Sequence, residues 1–176
     1  MQILWIRHGQ TQGNVERRYV AERIGTDLGF ERKIKNAKAA RHWIAPDLVY
    51  VSPMIRCRET ADLLFPEQKK VPWDGLQETD FGDFEYKNYE ELKNDPVYQA
   101  WIDSNGQMLI PHGESGADFR ARCCEAYEKC IAEAREKDLE KIAIVCHGGT
   151  IMSVMERYGL PKNLFMSGRL PMDVGF

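Results

Sequence analysis

An α/β domain built on a mainly parallel sheet is the fold class this sequence predicts, and three observations lead to it. Short apolar runs alternate with segments of helical periodicity along the 176 residues. Each apolar run hands the chain to a segment that opens like a helix N-terminus. No internal repeat, low-complexity run or linker breaks the alternation, so residues 1–176 are expected to form one domain.

The elements follow in order. Met1 to Ile6 is almost wholly apolar, as expected of a strand buried on both faces of a parallel sheet, and it ends at Arg7-His8-Gly9. Lys33 to Trp43 carries helix formers, with Ala37, Ala40 and Ile44 along one stripe. Pro46 stops that helix, and Leu48 to Val51 begins a second strand. Ser52-Pro53 reads as an N-cap with proline at the first helical position, leading a helix from Met54 to Leu64 that Pro66 ends. Glu67 to Gln107 mixes aromatics, acids and proline. Short helices at Tyr89 to Leu92 and Val97 to Asp103 are expected there, within a lid-like insertion around 67–114. Ser115 with Asp118 opens a long helix from about Gly116 to Lys137 in the manner of a capping box. The strand Lys141 to Cys146 follows, and His147-Gly148-Gly149-Thr150 leads into a last helix through Arg157.

Composition narrows the function. Hydrophobic residues at 43% and charged residues at 29% give the balance of a soluble globular chain. The longest apolar stretches, such as Ile142 to Cys146, fall far short of the roughly 18 residues that span a bilayer. Met1 to Ile6 lacks the basic start of a signal peptide, so no membrane partner and a cytoplasmic location are expected. Five cysteines, Cys57, Cys123, Cys124, Cys130 and Cys146, are odd in number and show no CxxC pairing, which reads as reduced thiols. A net charge of −3 argues against nucleic-acid binding, which needs a clustered basic surface. Any anion site must be local.

Three segments place histidine or arginine where an apolar strand ends: Arg7-His8-Gly9, Ser52-Pro53 to Arg56, and His147-Gly148-Gly149. If these strands are neighbours in a parallel sheet, right-handed crossovers put all three ends on one edge, where ligands of such sheets bind. Two imidazoles and two guanidiniums then converge on what would suit a phosphoryl group. Arginine's planar fork matches phosphate oxygens, and backbone N–H groups at helix starts, from the Gly148-Gly149 turn or after Gly9, add donors. A catalytic metal is disfavoured: there is no HExxH, no His-x-His and no Cys/His cluster. Neither GxGxxG nor GxxxxGK[ST] occurs, so a nucleotide-binding reading has no motif behind it.

Ile6-Arg7-His8-Gly9-Gln10-Thr11, with Asn14 three residues on, resembles the RHG motif of the histidine phosphatase (phosphoglycerate mutase-like) superfamily. Val51-Ser52-Pro53 to Ala61 is similar to its SPxxRxxxTA segment, Leu76 to Glu85 to its LxExDFGxxE segment, and Val145 to Gly149 to its VxHGG segment. The four pieces stand in family order across nearly the whole chain. The resemblance implies a three-layer α/β/α sandwich with helices on both faces of the sheet. It implies a metal-independent phosphatase, without cofactor, that works on a small phosphorylated metabolite through a phosphohistidine intermediate. Carried over by position, His8 is the nucleophile, while Arg7, Arg56 and His147 surround the phosphoryl oxygens, with Gly148 beside them. Asn14 is a further phosphate contact and Glu78 the proton donor. Glu85 reads as a supporting carboxylate. Thr11 either donates from its hydroxyl or caps a turn. A neutral His8, oriented by a hydrogen bond from its other ring nitrogen to a carbonyl, would have the free lone pair that attack requires.

Several features stand apart from that pattern. Gln10 replaces a glutamate common in the family, positions Val20 to Phe30 keep only the flavour of its Leu-Thr-x-x-Gly stretch, and His112 replaces a glycine of its GGES segment. His112 reads as a solvated loop residue. Relatives commonly continue past Asn163 into a terminal strand, so a chain ending at Phe176 is expected to be trimmed or divergent there. Cys146 beside His147 is poorly placed for a thiol–imidazole dyad, because consecutive strand residues face opposite ways. Arg17, Arg18 and Arg23 either extend the positive field or form an exposed basic loop. Trp73, Phe81, Phe84, Tyr86, Tyr89 and Trp101 read as lid packing. A phosphatase is favoured over a mutase because the lid is short. The overall pattern is nearest to the bacterial α-ribazole phosphatase-like group, with phosphoryl transfer of the mutase type or a non-catalytic phosphate-binding module as alternatives. A homodimer is left open.

Overall fold

The computed structural model describes residues 1–20 and 45–159. Four strands, β1 (Gln2–Arg7), β2 (Leu48–Val51), β3 (Lys70–Pro72) and β4 (Lys141–Cys146), form one sheet in the order β1-β4-β2-β3, with every pairing parallel. Among the described residues six α-helices accompany them: α1 (Gln12–Val15), α2 (Ile55–Leu64), α3 (Tyr89–Leu92), α4 (Pro96–Asp103), α5 (Gly116–Glu136) and α6 (Gly148–Tyr158). The expected helix Lys33–Trp43, positions 21 to 30 with Arg23, and the chain from residue 160 onward lie outside the described residues.

Strand β4 organises the sheet, and all its residues from Ile142 to Cys146 are buried. Side chains alternate across a strand, so its two faces make two cores. Ala143 and Val145 join Val49, Val51 and Ile6 against Cys57, Ala61 and Leu64 of α2. Ile142, Ile144 and Cys146 join Leu48 and Tyr50 against Ala126, Cys130, Ile131 and Ala134 of α5. Helix α6 packs chiefly on α5, through Val154 against Phe119 and Cys123. The result is the expected α/β/α sandwich. Each fully buried aliphatic side chain contributes about 1.5–3 kcal/mol of transfer free energy to holding these layers together.

Register then places the functional loops. Arg7 pairs with Cys146 and Val51 with Val145, which brings the residues after all three strands to the same sheet edge. At the opposite edge, the Asp47 carboxylate accepts the Glu140 and Lys141 N–H groups at 2.9 and 2.8 Å, locking the start of β4 beside β2.

Three expectations need correction. β1 is not buried on both faces: among the described residues it pairs with β4 alone, and of its six residues only Ile6 is buried while Leu4 is 37% exposed. Apolar composition does not tell an edge strand from a central one. Second, Ser52 does not cap a helix. The N-cap of α2 is Met54, without a side-chain cap, and the Ser52 hydroxyl bonds His147 instead. Third, the stretch read as starting a lid at residue 67 begins with β3, and Leu76 is fully buried beneath α5. Trp73 belongs there too, stacking edge-on against Tyr50 with ring centroids 5.8 Å apart. The aromatic layer over the sheet edge is a separate small core of Phe84, Leu92, Tyr98 and Ile110, with Tyr19, Phe81 and Trp101 packed around it. Tyr86 and Tyr89 stay exposed. Among the described residues, no helix is long and apolar enough to cross a membrane.

The aromatic layer joins the rest through a tight crossing at Gly82. This residue has φ +44°, and a Cβ there would stand 2.1 Å from Pro111 O and 2.5 Å from Gly113 N, all rigid backbone. Gly82→Ala is expected to cost about 1–3 kcal/mol of stability. Urea unfolding checks it: the midpoint falls with the slope unchanged, and an unaltered midpoint would contradict the crossing as described.

Candidate active site

At the carboxyl edge of the sheet a cleft opens among Arg7, His8, Thr11, Asn14, Arg56 and Glu78, with Arg18, Tyr19, Val20 and Phe81 forming the rest of its wall. Six of the sequence-predicted residues face one another here from three separate segments: residues 7 to 14, the first turn of α2, and the loop that carries Glu78. His8 and His147 lie with ring centroids 5.2 Å apart, although His147 is fully buried behind the wall rather than on it.

His8 is held on one side. Its Nδ1 is 2.7 Å from Gly9 O, and since a carbonyl only accepts, Nδ1 carries the proton and Nε2 keeps the lone pair. Burial, then the Arg56 charge, pushes the His8 pKa down to about 3, so the ring is neutral at ordinary pH. The turn carrying it is pinned through Gly9 N–H, which donates to Thr60 Oγ1 at 2.9 Å. Thr60, one helical turn beyond Arg56, donates in turn to the Arg56 carbonyl at 2.6 Å.

His147 sits deeper. Arg56 Nη2 donates to its Nδ1 at 3.2 Å, so the proton rests on Nε2 and is donated to Ser52 Oγ at 2.8 Å. Burial foremost, with the Arg56 charge second, holds this imidazole well below its usual pKa. Cys57 lies under the ring, its Sγ 3.5 Å from Nε2, and burial raises that thiol to about 12, which keeps it protonated. Arg56 itself is 2% exposed, and its Nη2 also donates to Val20 O at 3.1 Å. A guanidinium so placed costs desolvation, and it offers the cleft a positive charge in a weakly screened setting.

Glu78 approaches from the far wall. Its Oε1 accepts Thr79 N–H at 3.1 Å and its Oε2 stands 3.9 Å from His147 Nδ1. Burial raises its pKa, against the lowering pull of the Thr79 N–H, Arg56, Arg7 and Arg122. Gly149 makes the approach feasible: a Cβ there would stand 2.9 Å from Glu78 Oε1 and 3.1 Å from the Phe119 ring.

The remaining assignments divide. Thr11 takes its capping role: its hydroxyl accepts Asn14 N–H and donates to Asn14 Oδ1, while its own N–H also donates to that oxygen. Asn14 lies on the wall with its oxygen committed in this way. Gly148 is not on the wall; it is the first residue of α6, and a Cβ there would stand 3.6 Å from Arg7 Nε. Arg18 is on the wall but engaged with Glu16, Glu91 and the Tyr86 carbonyl, and Arg17 is exposed. His112 is a solvated loop residue, 85% exposed in its side chain and 2.9 Å from Asp83. Cys146 points into the α5 core, away from the histidines. Among the described residues, no three His, Cys, Asp or Glu side chains stand together as a metal-binding group. Sequence reasoning missed Ser52, Cys57, Thr60, Tyr19 and Arg122 as supports of the site. Only Thr60 left a trace, four residues from Arg56 on one helix face.

The sequence profile of the histidine phosphatase superfamily (branch 1) matches residues 3–170. An adenosylcobalamin/alpha-ribazole phosphatase of Escherichia coli K12 is 29% identical over 171 residues, spanning 92% of this chain and 81% of the relative. The protein of that name from Salmonella typhimurium LT2 is 31% identical over 168 residues, spanning 89% and 79%. The crystal structure of the alpha-ribazole phosphatase from Shigella flexneri superposes with a TM-score of 0.79 at 27% identity, covering 95% of this chain and 84% of that one. A profile match over nearly the full length, on the fold and cleft just described, makes this chain an enzyme belonging to the histidine phosphatase superfamily.

Proposed function

We propose that this enzyme hydrolyses a small phosphomonoester through a phosphohistidine on Nε2 of His8. The observation that carries the reading is the neutral His8 ring, held by Gly9 O through Nδ1, on the wall of a cleft with two arginines. The Nε2 lone pair attacks phosphorus as the ester P–O bond breaks, and Glu78 gives its proton to the departing oxygen. Water then attacks the phosphohistidine and loses its proton to the Glu78 carboxylate. The P–N bond breaks, its electron pair returns to His8, and inorganic phosphate leaves.

The positive groups supply what that path needs. Charge spreads over the equatorial oxygens in the transition state, and Arg7 and Arg56 meet it with fixed positive charge. Arg56 exchanges its bond to His147 for one to the phosphoryl group, and the incoming dianion favours a proton on His147 Nδ1, completing the cradle. First-turn N–H groups of α6 at Gly148, and the amide nitrogen of Asn14, add neutral donors. No step calls on a metal ion. The aromatic layer around Phe81 and Tyr19 serves as the lid, and its small extent favours water over a second acceptor as the attacking group. Five buried, unpaired thiols accord with a reducing, cytoplasmic setting. The names of the relatives make α-ribazole phosphate the first substrate to try.

With EDTA present, the wild type is expected to release phosphate from a panel of phosphomonoesters, while His8→Ala lowers kcat roughly 10³-fold or more. An alkaline quench should trap phosphorylated wild type and no phosphorylated His8→Ala. Release that survives His8→Ala would sink the reading. Exchange of label into an added alcohol in place of phosphate release would point to mutase-type transfer, and binding without release to a binding module.

The depressed His8 pKa also has a signature in stability. Between about pH 6.5 and 3 the unfolded chain binds a proton at this position that the folded protein refuses, so stability is lost as pH falls through that window. His8→Asn is expected to flatten the slope by as much as about 1.4 kcal/mol per pH unit there and to leave it unchanged above pH 7. Denaturant unfolding of both proteins from pH 4 to 8 measures it. Parallel curves would mean that His8 is charged when folded.

A further inference from the structure

Arg122 lies on α5, outside the cleft wall, with 30% of its side chain exposed. Its guanidinium nevertheless spends its hydrogen atoms on the loop that carries Glu78. Nη1 donates to Gly75 O and to Gln77 O at 3.1 Å each, and Nη2 donates to Glu78 O at 3.3 Å. Glu114 closes the arrangement. It takes the Arg122 Nε–H at 3.3 Å and also bonds Nη2, while its Oε1 accepts Asp80 N–H at 3.0 Å and its own N–H donates to Asp80 O at 3.1 Å. One ion pair thus grips the backbone on both sides of Glu78, from Gly75 to Asp80. The guanidinium also lies 5.3 Å from the centroid of Phe119, the ring that together with Glu78 Oε1 crowds Gly149.

A single ion pair still partly open to solvent contributes only modestly as a stabilising contact. Its geometry is more specific than stability requires. Only a planar fork with five donors reaches three carbonyls and a carboxylate together, which an ammonium group cannot do. We propose that Arg122, backed by Glu114, is a positioning residue for the proton transfer from Glu78, fixing the backbone from which that carboxyl reaches the leaving-group oxygen. This rests on the reading of Glu78 as proton donor given above.

A proton donor matters in proportion to the basicity of the group that leaves. An alkyl phosphate expels a strongly basic alkoxide and needs the proton; p-nitrophenyl phosphate expels a weakly basic phenolate and hardly does. The experiment is kcat/KM, which reports transfer to His8, for the best alkyl phosphate of the panel and for p-nitrophenyl phosphate. The proteins compared are wild type, Glu78→Gln, Arg122→Gln, Arg122→Lys, Glu114→Gln and the double variant Arg122→Gln/Glu78→Gln. Glu78→Gln is expected to lose roughly 100-fold or more on the alkyl ester and less than about 5-fold on the aryl ester. Arg122→Gln should show the same asymmetry at roughly 10- to 100-fold, with Arg122→Lys between it and wild type. The double variant should fall no more than about 3-fold below Glu78→Gln, since a support for an absent acid has nothing left to hold. Should Arg122→Gln fail to fold by circular dichroism, Glu114→Gln, which keeps the arginine but frees it, carries the same expectation at a smaller loss. Equal losses on both esters in the Arg122 and Glu114 variants, or additive losses in the double variant, overturn the proposal while the Glu78 asymmetry stands. Equal losses in Glu78→Gln itself overturn the proton-donor reading, and the proposal with it.

Discussion

The parallel register of β4 with its two neighbours is the constraint from which the site follows. Because Arg7 pairs with Cys146 and Val51 with Val145, the residues leaving three strands emerge side by side. His8, Ser52 and His147 are then within reach of one another without any loop having to search for them. A slip of one residue would reverse every side chain of the shifted strand across the sheet. It would put Cys146 where His147 now stands and break both cores at once. The geometry of the candidate site is therefore protected by the same burial of Ile142 to Val145 that holds the layers together, and the rigid edge is what allows short turns such as that at Gly9 to hold the site's side chains in place.

Around that edge the charges are arranged against their ordinary preferences. Arg56 is nearly inaccessible yet charged, both imidazoles are held neutral, and burial pushes Glu78 toward its protonated form. Each of these departures costs free energy in the empty protein. On the function proposed above, a phosphoryl dianion would relieve them together, since it would neutralise the guanidinium, accept from His147 and make a protonated carboxyl useful. Binding energy is thereby concentrated on the group that reacts rather than on the rest of the substrate, as a site complementary to a charged transition state requires.

Much of this was legible in the sequence because the signals were local. Strand β4, α5 and α6 are long and periodic, and the sequence put His8, Arg56 and His147 at strand-to-helix boundaries that the structure reproduces, with Glu78 in a loop. What escaped was what depends on tertiary partners. Strand β3 is only Lys70-Val71-Pro72, and a proline with a single β-branched residue does not look like a strand until β2 lies beside it. That β1, among the described residues, pairs on one side only has no compositional mark. Ser52-Pro53 satisfied the rule for a helix start, yet the hydroxyl had a stronger claim from an imidazole 95 positions away. Arg122 sat among the charged residues of a long helix, where its neighbours Arg120 and Glu125 looked no different. Its significance lies in three carbonyls that no pattern in the sequence ties to it.

The strand order has a consequence for how the molecule comes into being. β1 and β2 are not paired with each other; both pair with β4, which is made last of the four. On the ribosome the first strand waits while more than a hundred residues are added, about 7 to 30 seconds at ordinary elongation rates. Until β4 arrives β2 has only β3 beside it and β1 has neither, so the shared edge that carries His8, Ser52 and His147 does not exist. The first strand stays without its partner through that interval, an exposure that a fold whose first hairpin can close at once avoids.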